Sequence, residues 1–69
     1  MVDVNNRTES HSANGIDYIF EFMSDGWIGI YEFRDGLPWR PLIQACNPAK
    51  ALEYITLREP VPAGVMPLV

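Results

Sequence analysis

The chain carries one cysteine, Cys46, and one histidine, His11, in 69 residues. A lone thiol cannot close a disulfide within the chain. One Cys and one His also fall short of the four N or S ligands of a structural zinc site. The fold must therefore be held by apolar side chains alone. Basic residues are sparse as well: five Lys and Arg, scattered, against nine Asp and Glu, for a net charge of −4. Nucleic-acid binding draws affinity from Lys and Arg that neutralise phosphates, so direct contact with DNA or RNA is disfavoured. No run approaches the ~20 apolar residues of a membrane-spanning helix. The polar start MVDVNNRTESHSAN has no apolar core of a signal peptide. Residence in the cytoplasm, away from membranes, is the expectation.

Signs of catalysis are equally thin. The five glycines sit in turn-like pairs, at Gly29 and in the tail, so no glycine-rich phosphate loop exists. Cys46 precedes a predicted helix start, a position that favours a reactive thiolate. Yet the sequence places no base to activate it, and a small, buried, apolar side chain at a strand end is the simpler reading. His11 lies in a polar segment without fixed geometry. A chain this short has little interior in which to tune a carboxylate for acid–base work. Neither an enzyme, nor a cofactor, nor a metal site is expected.

What the chain does have is apolar and aromatic: 48% of its residues are hydrophobic, and three Phe, three Tyr and two Trp are among them. Residues 1–14 lack periodicity and read as a flexible polar arm with room for a short strand, ahead of a single domain over 15–69. Tyr18, Ile19, Phe20 and Phe22, then Trp27, Ile28, Ile30, Tyr31 and Phe33, favour strand. Asp25-Gly26 between them accepts the positive φ angles of a tight turn. A hairpin over about 17–33 follows. With a two-residue loop, Phe22 faces Gly29, Phe20 faces Tyr31 and Tyr18 faces Phe33. One face then carries Tyr18, Phe20, Phe22, Trp27, Tyr31 and Phe33, and the other Ile19, Glu21, Met23, Ile28, Ile30 and Glu32.

Asp35-Gly36 marks a second turn. Pro38 and Pro41 have opposite parity, so a regular strand cannot hold both. A cleaner strand is predicted from about Leu42 to Cys46, at an edge or after a bulge. Asn47 is a good helix N-cap and Pro48 a good first helical residue, which predicts a helix from about 48 to 58 with Ala51, Leu52 and Ile55 as its apolar stripe. Pro60 ends it, and a last edge strand can start at Val65. The expected fold is α+β: a small antiparallel sheet of three to four strands, begun by a β-hairpin, with one helix across it, ββ(β)αβ.

Residues 17–35 hold five acids, Asp17, Glu21, Asp25, Glu32 and Asp35, and one base, Arg34. Stacking platforms for single-stranded bases need a basic surround, so the aromatic face is either core under the helix or an interface for protein. Carboxylates along a hairpin can also stand in for phosphates in a basic groove; their plain alternative is a solvated acidic surface. The candidate contact residues are Asp17, Glu21, Asp25, Trp27, Tyr31, Glu32, Asp35 and Trp39.

Ala45, Asn47 as helix cap, Ala51-Leu52-Glu53 and Val61-Pro62-Ala63-Gly64 resemble the small podophage inhibitor of bacterial RNA polymerase, over about 20 of the 69 residues and with a one-residue gap. That family has a similar length, a polar N-terminal arm and a strand–helix–strand ending. Its last strand contacts the polymerase through basic residues, whereas Val65-Met66-Pro67-Leu68-Val69 has no charged side chain. The resemblance implies a phage inhibitor. Anti-CRISPR proteins, also small and acidic, fit the composition equally. The expected function is thus a non-catalytic module that binds a host protein or complex with a basic surface. The alternative is an antitoxin-like regulatory or structural subunit that forms a homodimer through its sheet.

Overall fold

The computed structural model describes residues 6–58 and 64–67. Along the chain come β1 (Arg7–Ala13), β2 (Ile16–Phe22), β3 (Ile28–Glu32), β4 (Arg40–Ala45), α1 (Pro48–Leu57) and β5 (Val65–Pro67). The strands form one antiparallel sheet in the order β1-β2-β3-β4-β5, with α1 against it. The α+β class, the hairpin and the single helix are as the sequence predicts. The sheet has five strands rather than three to four.

The additional strand is β1, in the segment expected to be an arm. Asn14 (φ 54°) and Gly15 (φ 79°) both adopt positive φ, as a two-residue hairpin turn of the right twist requires. That turn sets Arg7–Ala13 against Ile16–Phe22 without a register break. Residues 1–5 lie outside the described residues.

The β2–β3 register differs from the predicted one by a residue. Phe22 faces Ile28, Phe20 faces Ile30 and Tyr18 faces Glu32. The cause is the loop. Met23 N–H donates to the Trp27 carbonyl (2.9 Å) and Gly26 N–H to the Met23 carbonyl (3.0 Å), so the loop is Ser24-Asp25-Gly26, with Gly26 at φ 93°. A three-residue loop with a terminal left-handed glycine replaces the two-residue one, and a shift of one residue moves every β3 side chain to the other face. Trp27, Tyr31 and Phe33 therefore do not share a face with Tyr18, Phe20 and Phe22; Ile28 and Ile30 do.

β4 starts earlier than expected and stops before Cys46. Its register with β3 shifts between Ile30, opposite Ile43, and Tyr31, opposite Pro41. This irregularity seats Pro41 in the sheet, and Pro38 stays in the preceding loop. β4 is not an edge, because β5 pairs with it from Ile43–Pro67 to Ala45–Val65.

Asn47 caps α1 as predicted: its Oδ1 accepts from Lys50 N–H at 2.8 Å. The buried stripe is Ala51, Tyr54 and Ile55; Leu52, expected in it, is exposed. Arg58 ends the helix in the left-handed region (φ 50°), its N–H on the Tyr54 carbonyl at 2.8 Å. The stripe completes a core with Tyr18, Phe20, Ile28, Ile30, Ile43, Ala45 and Val65. Of the two readings open for the Tyr18–Phe20 face, it is core.

Polar residues of β1 cover the rim of that core. His11 stacks on Phe20, ring centroids 4.2 Å apart, and the Arg7 guanidinium lies 4.2 Å over the Phe22 ring. Asn14 Nδ2 donates to the Thr56 carbonyl at 2.9 Å, tying the β1–β2 turn to the last turn of α1. No described helix is long and apolar enough to cross a membrane.

Candidate protein-binding surface

The eight predicted contact residues divide among three places. Asp17, Glu32 and Asp35 lie at the end of the hairpin where β2 begins and β3 ends, Glu32 on the face of α1 opposite Tyr18 and Asp17 on the other face: Phe33 N–H donates to the Asp17 carbonyl at 2.9 Å, closing that end of the hairpin. Asp25 and Trp27 lie at its opposite end, in the loop and just after it. Asp25 Oδ1 accepts from the Trp27 N–H at 3.0 Å, so the carboxylate is spent in part on its own turn. Glu21, Tyr31 and Trp39 belong to the face that turns away from α1.

Glu21 and Tyr31 are not exposed contacts. Glu21 is 3% exposed and Tyr31 6%. The Tyr31 hydroxyl donates to Glu21 Oε1 at 2.9 Å, and Asn6 Nδ2 donates to Glu21 Oε2 at 2.8 Å. Burial, then the hydrogen bond and the charge of Glu21, push the Tyr31 phenol up to about 12. Glu21 faces Gly29 across the ladder, and Tyr31 follows Gly29 by two residues on the same face. The missing side chain at Gly29 leaves room for the Tyr31 ring; a Cβ there would stand 3.3 Å from its Cε1. Trp39 covers Tyr31 from outside, centroids 6.2 Å apart and planes tilted by 53°.

The surface feature that sequence reasoning missed is the β3–β4 loop, residues 33–39. Phe33 and Leu37 are 40% and 58% exposed. Their loop is nonetheless held. Leu37 N–H donates to the Arg34 carbonyl at 3.2 Å, Gly36 takes φ 74°, and Arg34 Nη2 donates to the Pro38 carbonyl at 2.9 Å. Asp35 sits at the tip between the two apolar side chains, and Trp39 anchors the far end. Two apolar residues flanking Asp-Gly were the available signal, but the hairpin pattern assigned Phe33 to a strand and left Leu37 without a role.

Charge is distributed unevenly. Arg7 pairs with Glu9 (3.6 Å), Arg40 with Glu32 (3.7 Å) and Lys50 with Glu53 (3.6 Å). Arg34 and Arg58 donate to Pro38 and to Tyr18. Among the described residues, Asp17, Asp25 and Asp35 have no cationic partner within ion-pair distance. Asp17 accepts from Ser12 Oγ at 2.7 Å instead. The uncompensated negative charge thus stands in turns and at a strand start, two of its three carboxylates beside Phe33 and Leu37.

Cys46 is not buried as expected: it stands just past the end of β4 and is exposed, and Asn47 Nδ2 approaches its sulfur at 3.5 Å. Among the described residues no group of three or more His, Cys, Asp or Glu could hold a metal ion. Compared with protein-family models, with curated proteins and with solved structures, the chain finds no significant match.

Proposed function

We propose that this chain is a small non-catalytic module that binds protein, docking through its 33–39 loop and the adjoining Asp17 on a basic surface. The observation that carries the reading is the pairing of exposed Phe33 and Leu37, on a loop pinned by its own hydrogen bonds, with carboxylates that no described cation neutralises. Protein interfaces favour apolar and aromatic anchors inside a polar rim. A held loop also loses little conformational freedom on docking. The resemblance to the podophage polymerase inhibitor, and the fit of its composition to anti-CRISPR proteins, support a phage-encoded inhibitor of a host complex that handles nucleic acid. There the aspartates would occupy ground that phosphates normally hold.

The test is affinity capture from bacterial host lysate, read by mass spectrometry, with three baits: the unaltered chain, a Phe33→Ala/Leu37→Ser variant, and Asp25→Lys at the far end of the hairpin. The reading expects a partner with a basic surface that the unaltered chain and Asp25→Lys retain, that the loop variant loses, and that rising salt elutes. Equal retention by all three baits, or no retained partner, would overturn it.

A further inference from the structure

We propose that the outer edge of β1 pairs with β1 of a second copy, antiparallel and centred on Ser10, to make one continuous ten-stranded sheet. The backbone groups already in use within the sheet leave one set free along this edge. Met23 N–H donates to Trp27 and Phe33 N–H to Asp17. These bonds place the odd-numbered residues of β2 in the hydrogen-bonded pairs with β3. Backbone groups alternate sides along an antiparallel strand, so Tyr18, Phe20 and Phe22 turn theirs to β1. Their partners there are His11, Glu9 and Arg7. Thr8, Ser10 and Ser12 are left with N–H and C=O directed outward, and all three are exposed. No described strand pairs with this edge.

Sheet edges in soluble proteins are usually blunted by shortness, proline, lysine or a bulge. β5 follows that rule, with three residues of which the last is Pro67. β1 does so only weakly: it is seven residues long, has neither Pro nor Lys, runs in unbroken register with β2, and its two charges, Arg7 and Glu9, stand on the core-side face and pair with each other at 3.6 Å. Its sequence is also complementary to itself in one register. Centring on Ser10 sets Ser10 against Ser10, and Thr8 against Ser12 in both directions. Every outward N–H then meets an outward C=O. The same register sets Glu9 opposite His11 of the second copy, twice, in the non-hydrogen-bonded positions where side chains come closest. A slip of one residue to centre on Glu9 would oppose two Glu9 carboxylates. A slip of two, to Thr8, leaves Ser12 without a partner in the strand. The two-fold axis of this pairing runs perpendicular to the sheet, so both α1 helices lie on one face. The edge is separate from the 33–39 loop, two strands away, and neither reading depends on the other. Seven residues of edge make a small interface, and the pairing is expected to be reversible and dependent on concentration.

Sedimentation equilibrium of the full chain over a concentration series should show exchange between 7.8 kDa and twice that mass. Ser10→Pro removes an N–H that β2 does not use, a substitution that an edge strand tolerates. It should preserve the circular dichroism spectrum and weaken association at least about tenfold. Cross-linking reads the register independently, in a Cys46→Ala background. Ser10→Cys should link to itself on mild oxidation, since facing Cα atoms in a ladder lie within disulfide reach. Thr8→Cys and Ser12→Cys should link to each other when mixed and not to themselves. A monomer at every concentration, Ser10→Pro that associates as the unaltered chain does, or Thr8→Cys that self-links as readily as Ser10→Cys would each overturn the proposal.

Discussion

The hydroxyl of Tyr31 donates to the carboxylate of Glu21 at 2.9 Å beside the bare backbone of Gly29. Burial and that carboxylate push the phenol up to about 12 from an ordinary 10.0. A raised acid favours its protonated form in the fold. Its contribution is complete below about pH 10 and is lost as pH climbs through about 12. At about 1.4 kcal/mol per pH unit, two units set an upper bound of about 3 kcal/mol on the loss. Urea unfolding at intervals across this range should show it. Tyr31→Phe should be less stable at pH 8 but lose less between about pH 10 and about pH 12. Parallel losses in the two proteins would place the alkaline transition elsewhere.

Gly29→Ala tests the same arrangement from below. The new Cβ would stand 3.3 Å from Tyr31 Cε1 and 3.4 Å from Met23 Cε. Met23 can swing aside, but the Tyr31 ring is tied through its hydroxyl to Glu21. The expected cost is about 1–3 kcal/mol. In a Tyr31→Phe background, where that tie is gone, the same substitution should cost less. Thermal melts of the four proteins form a double-mutant cycle, and strict additivity would show that the ring is free to yield.

Arg58 links the end of α1 to the core. Its Nη1 donates to the buried Tyr18 hydroxyl at 2.8 Å, which holds the guanidinium above its ordinary pKa, while its backbone sits at φ 50°. Arg58→Ala keeps the left-handed backbone and orphans the phenol, for an expected loss of about 1–3 kcal/mol. Arg58→Gly orphans the same phenol but relieves the backbone, so it should be more stable than Arg58→Ala by about 1 kcal/mol. Denaturant midpoints that fall in the reverse order would count against the left-handed cap.

Once a partner is in hand, the two ends of the hairpin should separate kinetically. Asp35→Lys should slow association, and the more so at low salt, because exposed charges act by steering. Phe33→Ala should mainly speed dissociation, as truncated anchors do. Asp25→Lys, at the far end, should change neither rate by more than about threefold. Rates measured by surface plasmon resonance at two salt concentrations distinguish these cases. If Asp25 matters as much as Asp35, the contact surface runs the length of the hairpin.

Where a feature rests on neighbouring residues, the sequence was readable. Asn47-Pro48 marks the helix start because cap and first turn are in immediate reach of each other. The hairpin register was not readable, because Asp25-Gly26 suits a two-residue loop and equally the end of a three-residue one. The choice falls to packing: only the longer loop brings Ile28 and Ile30 beside Phe20 under α1. β1 was legible only as room for a short strand in a polar arm, since Arg-Thr-Glu-Ser-His-Ser-Ala shows no apolar alternation. Its contribution is polar side chains laid over aromatic rings, which hydropathy cannot register. Glu21 was taken for a surface carboxylate because nothing local announces the Tyr31 hydroxyl that helps to bury it. Asp17 and Asp35 were singled out for their charge, but the loop that gives them apolar company was not.

The sequential order of the sheet governs how the chain can assemble. β1 with β2, and β2 with β3, close through loops of two and three residues, while β4 and β5 meet only after the chain has travelled out and back through α1. Loop closure grows more costly with length, and rates follow the span of the contacts that must form. The first three strands can therefore zip from their turns, and the Ala45–Val65 ladder, which closes over the helix, is the natural last step. In the interval before it, β4 is a second open edge. A chain slow to dock Val65–Pro67 offers any passing strand the seat that β5 normally takes.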